Sequence, residues 1–186
     1  ADVGLWHEIL VVDDGSTDAT VEEAERAGAR IVRHPYNKGN GAAVKSGIRH
    51  ATGEFLLILD ADGQHRPEDA PRLVAKLGDY DLVVGARSDG TQATLGRRLG
   101  NRLLSWLASY LTGRKIDDLT SGFRAVKKQH LLNYTHLFPT GYSYPTTLTL
   151  AMMLGGQFVC YVPMDSIRKR TQGFSNIAPF KDFIIF

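Results

Sequence analysis

An α/β domain with a mainly parallel, doubly wound sheet flanked by helices is what this sequence predicts, on three observations. Short apolar runs alternate with helical stretches through the first half of the chain, in a repeated strand, helix, strand order. Two of those runs close in carboxylates and a turn: Glu8-Ile9-Leu10-Val11-Val12-Asp13-Asp14-Gly15-Ser16-Thr17-Asp18 and Leu57-Ile58-Leu59-Asp60-Ala61-Asp62-Gly63-Gln64-His65. With 186 residues, 43% hydrophobic and 23% charged, the chain holds enough apolar material for one well-packed domain.

The elements follow in order. After the first acidic strand, residues 17–27 have a Ser/Thr/Asp start and a Glu-rich body, and Gly28 stops the helix they form. A short strand over 29–32 comes next, and residues 39–51 then read as a helix opening from a glycine-rich turn. Thr52-Gly53 releases the chain into the strand that carries Asp60 and Asp62. Pro67 suits the first turn of a helix ending near Leu77-Gly78, ahead of a strand over 81–85. Beyond Gly85 the rhythm changes to a long helix over 95–111, a turn at Ser121-Gly122-Phe123-Arg124, and helical stretches over 128–136 and 144–154. Residues 156–163 read as a buried strand, in which Cys160, the only cysteine, is a small core residue and not a reactive thiol.

Composition excludes several classes. A formal net charge of +2 is too small for a nucleic-acid partner, so any anionic ligand must meet local basic clusters. No apolar run reaches the ~20 residues that cross a bilayer, and no signal peptide is present, so the chain reads as soluble or peripheral. The closing Phe180-Lys181-Asp182-Phe183-Ile184-Ile185-Phe186 reads as the start of an amphipathic or membrane segment.

Asp60 and Asp62 carry the chemistry. Two hard oxygen ligands one residue apart, at the end of a strand, suit a divalent cation that completes its shell with substrate phosphates, and Gln64 adds a neutral oxygen. In open α/β sheets ligands bind beyond the carboxyl ends of the strands, which would place both acidic clusters at one crevice. A metal bridging the phosphates of a nucleoside diphosphate stabilises charge on the leaving group. An accepting hydroxyl would need a carboxylate base, whereas a phosphate monoester, with a second pKa of ~6, is largely a dianionic nucleophile already. Cations must then neutralise both phosphates, and arginine's planar fork fits them: Arg87, Arg97, Arg98, Arg124, Arg168 and Arg170 are the candidates.

Six motifs in order, Val11-Val12-Asp13-Asp14-Gly15-Ser16-Thr17-Asp18, Asn37-Lys38-Gly39-Asn40-Gly41-Ala42-Ala43, Asp60-Ala61-Asp62-Gly63-Gln64-His65, Val84-Gly85-Ala86-Arg87, Ser121-Gly122-Phe123-Arg124 and Arg170-Thr171-Gln172-Gly173-Phe174-Ser175, resemble those of family 2 inverting glycosyltransferases, in particular the dolichyl- or polyprenyl-phosphate sugar synthases. The resemblance spans nearly the whole chain. It implies a GT-A fold, Mg²⁺ or Mn²⁺ on Asp60 and Asp62 with Gln64, a nucleotide-sugar donor, a polyprenyl or dolichyl phosphate acceptor, and a place on the cytoplasmic face of a membrane. Residues 1–90 would form the nucleotide-sugar and metal half, and 91–186 the acceptor half. For the donor it points to Asp13, Asp14, Lys38, Gly39, Ala61, Asp62, Arg168 and Arg170. For the acceptor it points to Arg87, Arg97, Arg98, Asn101, Ser121 and Arg124, with Asn101 standing where serine is common.

Departures and rival readings complete the set of expectations. Such enzymes open with a strand resembling Val-Ile-Pro-Ala-Tyr-Asn-Glu, and here the chain starts just before the second strand, so a central strand and part of the nucleotide pocket are expected to lie outside it. Asn176 stands where a lysine is usual. Asp13, Asp14 and Asp18 could serve as helix caps, with Asp18 or Thr17 the better cap and Asp13 or Asp14 the better nucleoside contact. His65 reads equally as a polar residue beside a helix, and residues 168–175 as a closing phosphate loop. Leu99, Leu103, Trp106, Leu107, Tyr110 and Leu111 form either a membrane-lying face or a core stripe. A hydroxyl-accepting transferase of the same family, a haloacid-dehalogenase-like phosphatase and a non-catalytic nucleotide-sugar-binding domain are the alternatives.

Overall fold

A computed structural model describes residues 6–87 and 95–164, and the side chains of all of these except 95–99. The element order is β1 (Leu10–Asp13), α1 (Thr20–Arg26), β2 (Arg30–Arg33), α2 (Asn40–His50), β3 (Phe55–Ile58), α3 (Ala70–Val74), β4 (Leu82–Arg87), α4 (Leu95–Thr112), β5 (Arg124–Lys127), α5 (Lys128–Tyr134), α6 (Tyr144–Leu154) and β6 (Val159–Met164). A one-turn 3₁₀ segment, Pro67–Asp69, leads into α3, so proline occupies the first turn where its missing N–H costs nothing.

The expected fold class is borne out, and two features refine it. The strands form two sheets, β1-β2 in parallel and a four-stranded sheet in the order β3-β5-β4-β6. The second is mixed, because β5 runs antiparallel to both β3 and β4 while β4 and β6 are parallel. Sequence reading placed only a turn where β5 lies. Arg-Ala-Val-Lys is four residues long with a charge at each end, too short to show a strand period. Its direction matters for function. Since β5 runs against its neighbours, the turn that precedes it arrives at the carboxyl edge of β3 and β4, beside Asp60.

Strand alternation divides the core. Leu82, Val84 and Val126 face α2, α5 and α6, packing with Ile48, Leu131, Phe138, Tyr144, Leu148 and Met152. Val83 and Ala125 face the other way, onto Leu73 and Leu77 with Phe123, Val162 and Met164. Such two-sided burial explains the continuous apolar run of β4, which no polar alternation interrupts. Cys160 is half-buried against the second cluster, less deep than the sequence suggested.

Candidate active site

Three segments converge around Asp60. Following β3, the 59–65 loop leaves Asp60 and Ala61 exposed and Asp62 and Gln64 half-buried. One Asp62 oxygen accepts the Gln64 N–H at 3.1 Å, closing a turn on Gly63, whose φ of +72° few other residues adopt. Among the described residues the second Asp62 oxygen accepts no hydrogen bond. Gly122 lies against Asp60 so closely that a Cβ there would stand 2.8 Å from Asp60 Oδ2. From the other side Asn40 Nδ2 approaches Asp60 Oδ1 at 3.5 Å. His65 stacks on Phe123 with ring centroids 4.9 Å apart, tying the acidic loop to the 121–124 turn. Burial pushes the His65 imidazole below its ordinary pKa, against the pull of Asp60 and Asp62, so the ring is neutral near pH 7.

The first acidic cluster builds the neighbouring wall. Asp14 accepts the backbone N–H of Lys38 at 2.9 Å and of Gly39 at 2.8 Å, fixing the turn that opens α2. His34, buried in the core of this turn, reaches Asp14 Oδ1 with Nδ1 at 2.6 Å and Ser46 Oγ with Nε2 at 2.8 Å. Burial works to raise the Asp14 pKa, but the bonds from His34, Lys38 and Gly39 outweigh it and hold the carboxyl below its ordinary value. Gly39 and Gly41 press against the backbone of Thr140 and Pro139, leaving no room for a Cβ at either position. Asp13 is buried, takes the Ser16 N–H at 2.9 Å and pairs with Arg33 at 3.3 Å. Asp18 accepts the Thr20 N–H just ahead of α1, whose N-cap position is Ala19 and has no side-chain cap bond, so neither Asp18 nor Thr17 is the cap residue expected.

A third network lies at the end of β4. Arg87 forms a two-pronged pair with Asp118, Nε to Oδ2 at 2.8 Å and Nη2 to Oδ1 at 3.0 Å. The same carboxylate accepts the N–H groups of Thr120 and Ser121. Desolvation would raise the Asp118 pKa, and Arg87 with these backbone donors overrides it and lowers it.

Several expected site residues fall elsewhere. Ser121 is buried, donating its hydroxyl to the Gly85 carbonyl at 2.6 Å. Arg124 is fully buried, its guanidinium bonded to Ser121 O, Leu119 O and Thr149 Oγ1. Both brace the turn that carries Gly122. A motif gives residue order and not the direction of a side chain, so this burial could not be read from the sequence. Lys38 is exposed, its Nζ 5.6 Å from the Tyr36 ring centroid. Asn101 is half-buried on α4 and hydrogen-bonded or paired there. Arg97 and Arg98 belong to the first turn of α4, with side chains outside the described residues, as are Arg168, Arg170 and the 180–186 segment.

Sequence reasoning missed His34, Asn40, Asp118 and Gly122. His34 sits in Arg33-His34-Pro35, which carries no recognisable pattern, whereas the acid pair Asp117-Asp118 just ahead of Ser121-Gly122-Phe123-Arg124 was a usable signal. Among the described residues no three of His, Cys, Asp and Glu gather into a metal-holding group, and none of the helices is long and apolar enough to cross a membrane. Two carboxylates fit a divalent cation that draws its remaining ligands from substrate phosphates and water.

Comparison with known proteins shows the family. Residues 6–135 match the family described as Glycosyl transferase family 2. Glycosyltransferase AglJ of Haloferax volcanii is 31% identical over 94% of this chain and 58% of its own length. Undecaprenyl-phosphate 4-deoxy-4-formamido-L-arabinose transferase of Klebsiella pneumoniae is 34% identical over 72% of this chain and 42% of its own. The chain thus spans about half the length of the curated relatives it matches. Among solved structures, glucosyl-3-phosphoglycerate synthase from Mycobacterium tuberculosis in complex with Mn²⁺ and UDP-glucose is similar at a TM-score of 0.72 and 26% identity, over 90% of this chain and 61% of that one. These matches set aside the phosphatase alternative. With a GT-A-like fold and the acidic loop at its strand ends, the chain belongs to glycosyl transferase family 2.

Proposed function

We propose that this chain is the catalytic part of an enzyme that transfers a sugar, with inversion, from a nucleoside diphosphate to a polyprenyl phosphate at the cytoplasmic surface of a membrane. The observation that carries the reading is the Asp60-Ala61-Asp62 loop, with Asp60 and Ala61 exposed and Asp62 half-buried, walled by Gly122 and by the opening turn of α2. Asp60 and Asp62, with Gln64, would hold Mg²⁺ or Mn²⁺, which when bound neutralises charge on the departing diphosphate. Structures of the glucosyl-3-phosphoglycerate synthase with Mn²⁺ and UDP-glucose support this metal for the family.

Every other step falls to the protein. Asp14 fixes Lys38 and Gly39 through their backbone, so the donor meets a preset turn, with Asp13 holding the strand end beneath it. Ala61 and the exposed Lys38 would border the donor, joined by Arg168 and Arg170. Arg97, Arg98 and Asn101 on α4 would receive the acceptor phosphate, with Arg87 held at the crevice edge by Asp118. A phosphate dianion needs no general base. On this reading residues 1–90 serve the donor and 91–186 the acceptor.

Transfer of radiolabelled sugar from GDP-mannose, UDP-glucose and UDP-N-acetylglucosamine to undecaprenyl phosphate, with and without Mn²⁺, tests the proposal. Metal-dependent labelling of the lipid supports it. Labelling of an oligosaccharide alone would establish the hydroxyl-accepting alternative, and donor binding with no transfer at all would favour the non-catalytic one.

A further inference from the structure

A buried phenol without a partner opens α6. Tyr144 is 2% exposed, and its hydroxyl makes no hydrogen bond among the described residues. A buried polar group left in this state is costly, and folded chains keep few of them. The ring is firmly held, tilted on Phe138 with centroids 6.0 Å apart and packed in one cluster with Ile48, Leu148 and the half-buried Val44 and Ile58. Packing thus fixes where the hydroxyl stands.

Two links join that place to Asp60. Ile58 ends β3 two residues before Asp60 and belongs to the same cluster as the Tyr144 ring. On the helix side, the loop that leads into α6 grips the start of α2, the Gly41 N–H lying 2.9 Å from Thr140 O and 3.0 Å from Gly141 O. Asn40, one residue earlier, reaches Asp60 Oδ1. The first residue of α6 is thereby brought to the strand end that carries the acidic loop. Charge agrees: burial raises the Tyr144 pKa above its ordinary value, and the Asp60 carboxylate raises it further, against the pull of Arg124. Of these two charged neighbours only the carboxylate can accept a hydrogen bond from the phenol, because a guanidinium has donors alone. Arg124 is in any case engaged with Ser121 O, Leu119 O and Thr149 Oγ1.

We propose that Tyr144 is a positioning residue for Asp60, its phenol donating to that carboxylate when Asp60 holds a divalent cation. This role rests on the metal site read at Asp60 and Asp62, and Tyr144 itself touches neither metal nor substrate. Carboxylates that ligate metals are steadied by such outer hydrogen bonds, which keep the oxygen pair in one orientation. Tyr161 provides the comparison. Its hydroxyl is also buried and without a partner among the described residues, but the carboxylates that act on it are those of Asp117 and Asp118.

Titration with Mn²⁺, alone and with UDP or GDP, followed through the paramagnetic resonance of the free ion, tests the role on Tyr144→Phe and Tyr161→Phe. Phenylalanine keeps the packed ring, so melting without metal should be unchanged or slightly higher, only an unpaired hydroxyl being lost. The expected result is a Mn²⁺ dissociation constant raised about tenfold in Tyr144→Phe and unchanged in Tyr161→Phe. In an Asp60→Asn background, Tyr144→Phe should weaken residual Mn²⁺ binding no further, since it acts through that carboxylate. A tenfold loss that persists in that background would overturn the proposal, as would a lower melting temperature of metal-free Tyr144→Phe with its Mn²⁺ affinity intact. The unmodified chain separates the two readings. Mn²⁺ bound equally by it and by Tyr144→Phe sinks only the role of Tyr144, whereas no uptake with or without nucleotide sinks the metal site and that role with it.

Discussion

Gly122 acts by having no side chain. A methyl group at that position would stand 2.8 Å from Asp60 Oδ2, so the carboxylate must move. Gly122→Ala is expected to weaken metal-dependent donor binding at least tenfold, about 1.4 kcal/mol, while leaving the melting temperature nearly unchanged because Asp60 is exposed; calorimetric titration beside thermal melting checks both. His34 predicts the reverse balance. Its ring joins Asp14 to Ser46 inside the wall, so His34→Ala leaves a cavity and removes two hydrogen bonds. A loss of about 2–3 kcal/mol in denaturant unfolding is expected, with donor affinity falling as the 37–39 turn loosens. His34 could not be found from the sequence, since it acts through a contact across 20 positions, and Gly122 stood in a motif with no role legible because it acts through an absence.

The helices and turns carry their own predictions. In α4 the inward Ala108 is packed and the outward Leu107 is not. Ala108→Leu should therefore cost about 1–3 kcal/mol by overpacking, whereas Leu107→Ser stays within about 0.5 kcal/mol, as denaturant midpoints would show. The 118–121 turn governs acid sensitivity. Asp118 has a lower pKa folded than unfolded, so above its ordinary value its full stabilisation is present. As pH falls, the unfolded chain takes up the proton first, and stability is lost until the folded carboxyl titrates. Asp14 and Asp81 act in the same direction, and so does Glu8, held at about 2 chiefly by the Thr52 N–H. Unfolding free energy should thus decline below about pH 4.5, and Asp118→Asn should be less stable at pH 7 and show a shallower decline, measured by thermal melting from pH 3 to 7.

At the scale of the molecule, the fold was legible wherever a local period exists. The helices, the strands and the acidic loops all lie close to where apolar spacing and turn residues put them. What escaped was set by long-range pairing: β5 is too short to show a period, and its antiparallel direction exists only against β3 and β4. The site divides along the same line. Asp60 and Asp62 could be proposed from the sequence because they stand one residue apart at a strand end, while the burial of Ser121 and Arg124, the Arg87 to Asp118 brace and the outward face of α4 depend on what packs behind them. The central claim is that Asp60 and Asp62 make a metal-dependent nucleotide-sugar site. Calorimetric titration of GDP-mannose, UDP-glucose and UDP-N-acetylglucosamine, with and without Mn²⁺, against the chain and its Asp60→Asn, Asp62→Asn variant tests it most directly. The account predicts that one donor binds only with Mn²⁺ and that the variant, folded by its melting curve, loses at least a hundredfold in affinity, about 2.7 kcal/mol; donor binding that persists unchanged in that variant would contradict it.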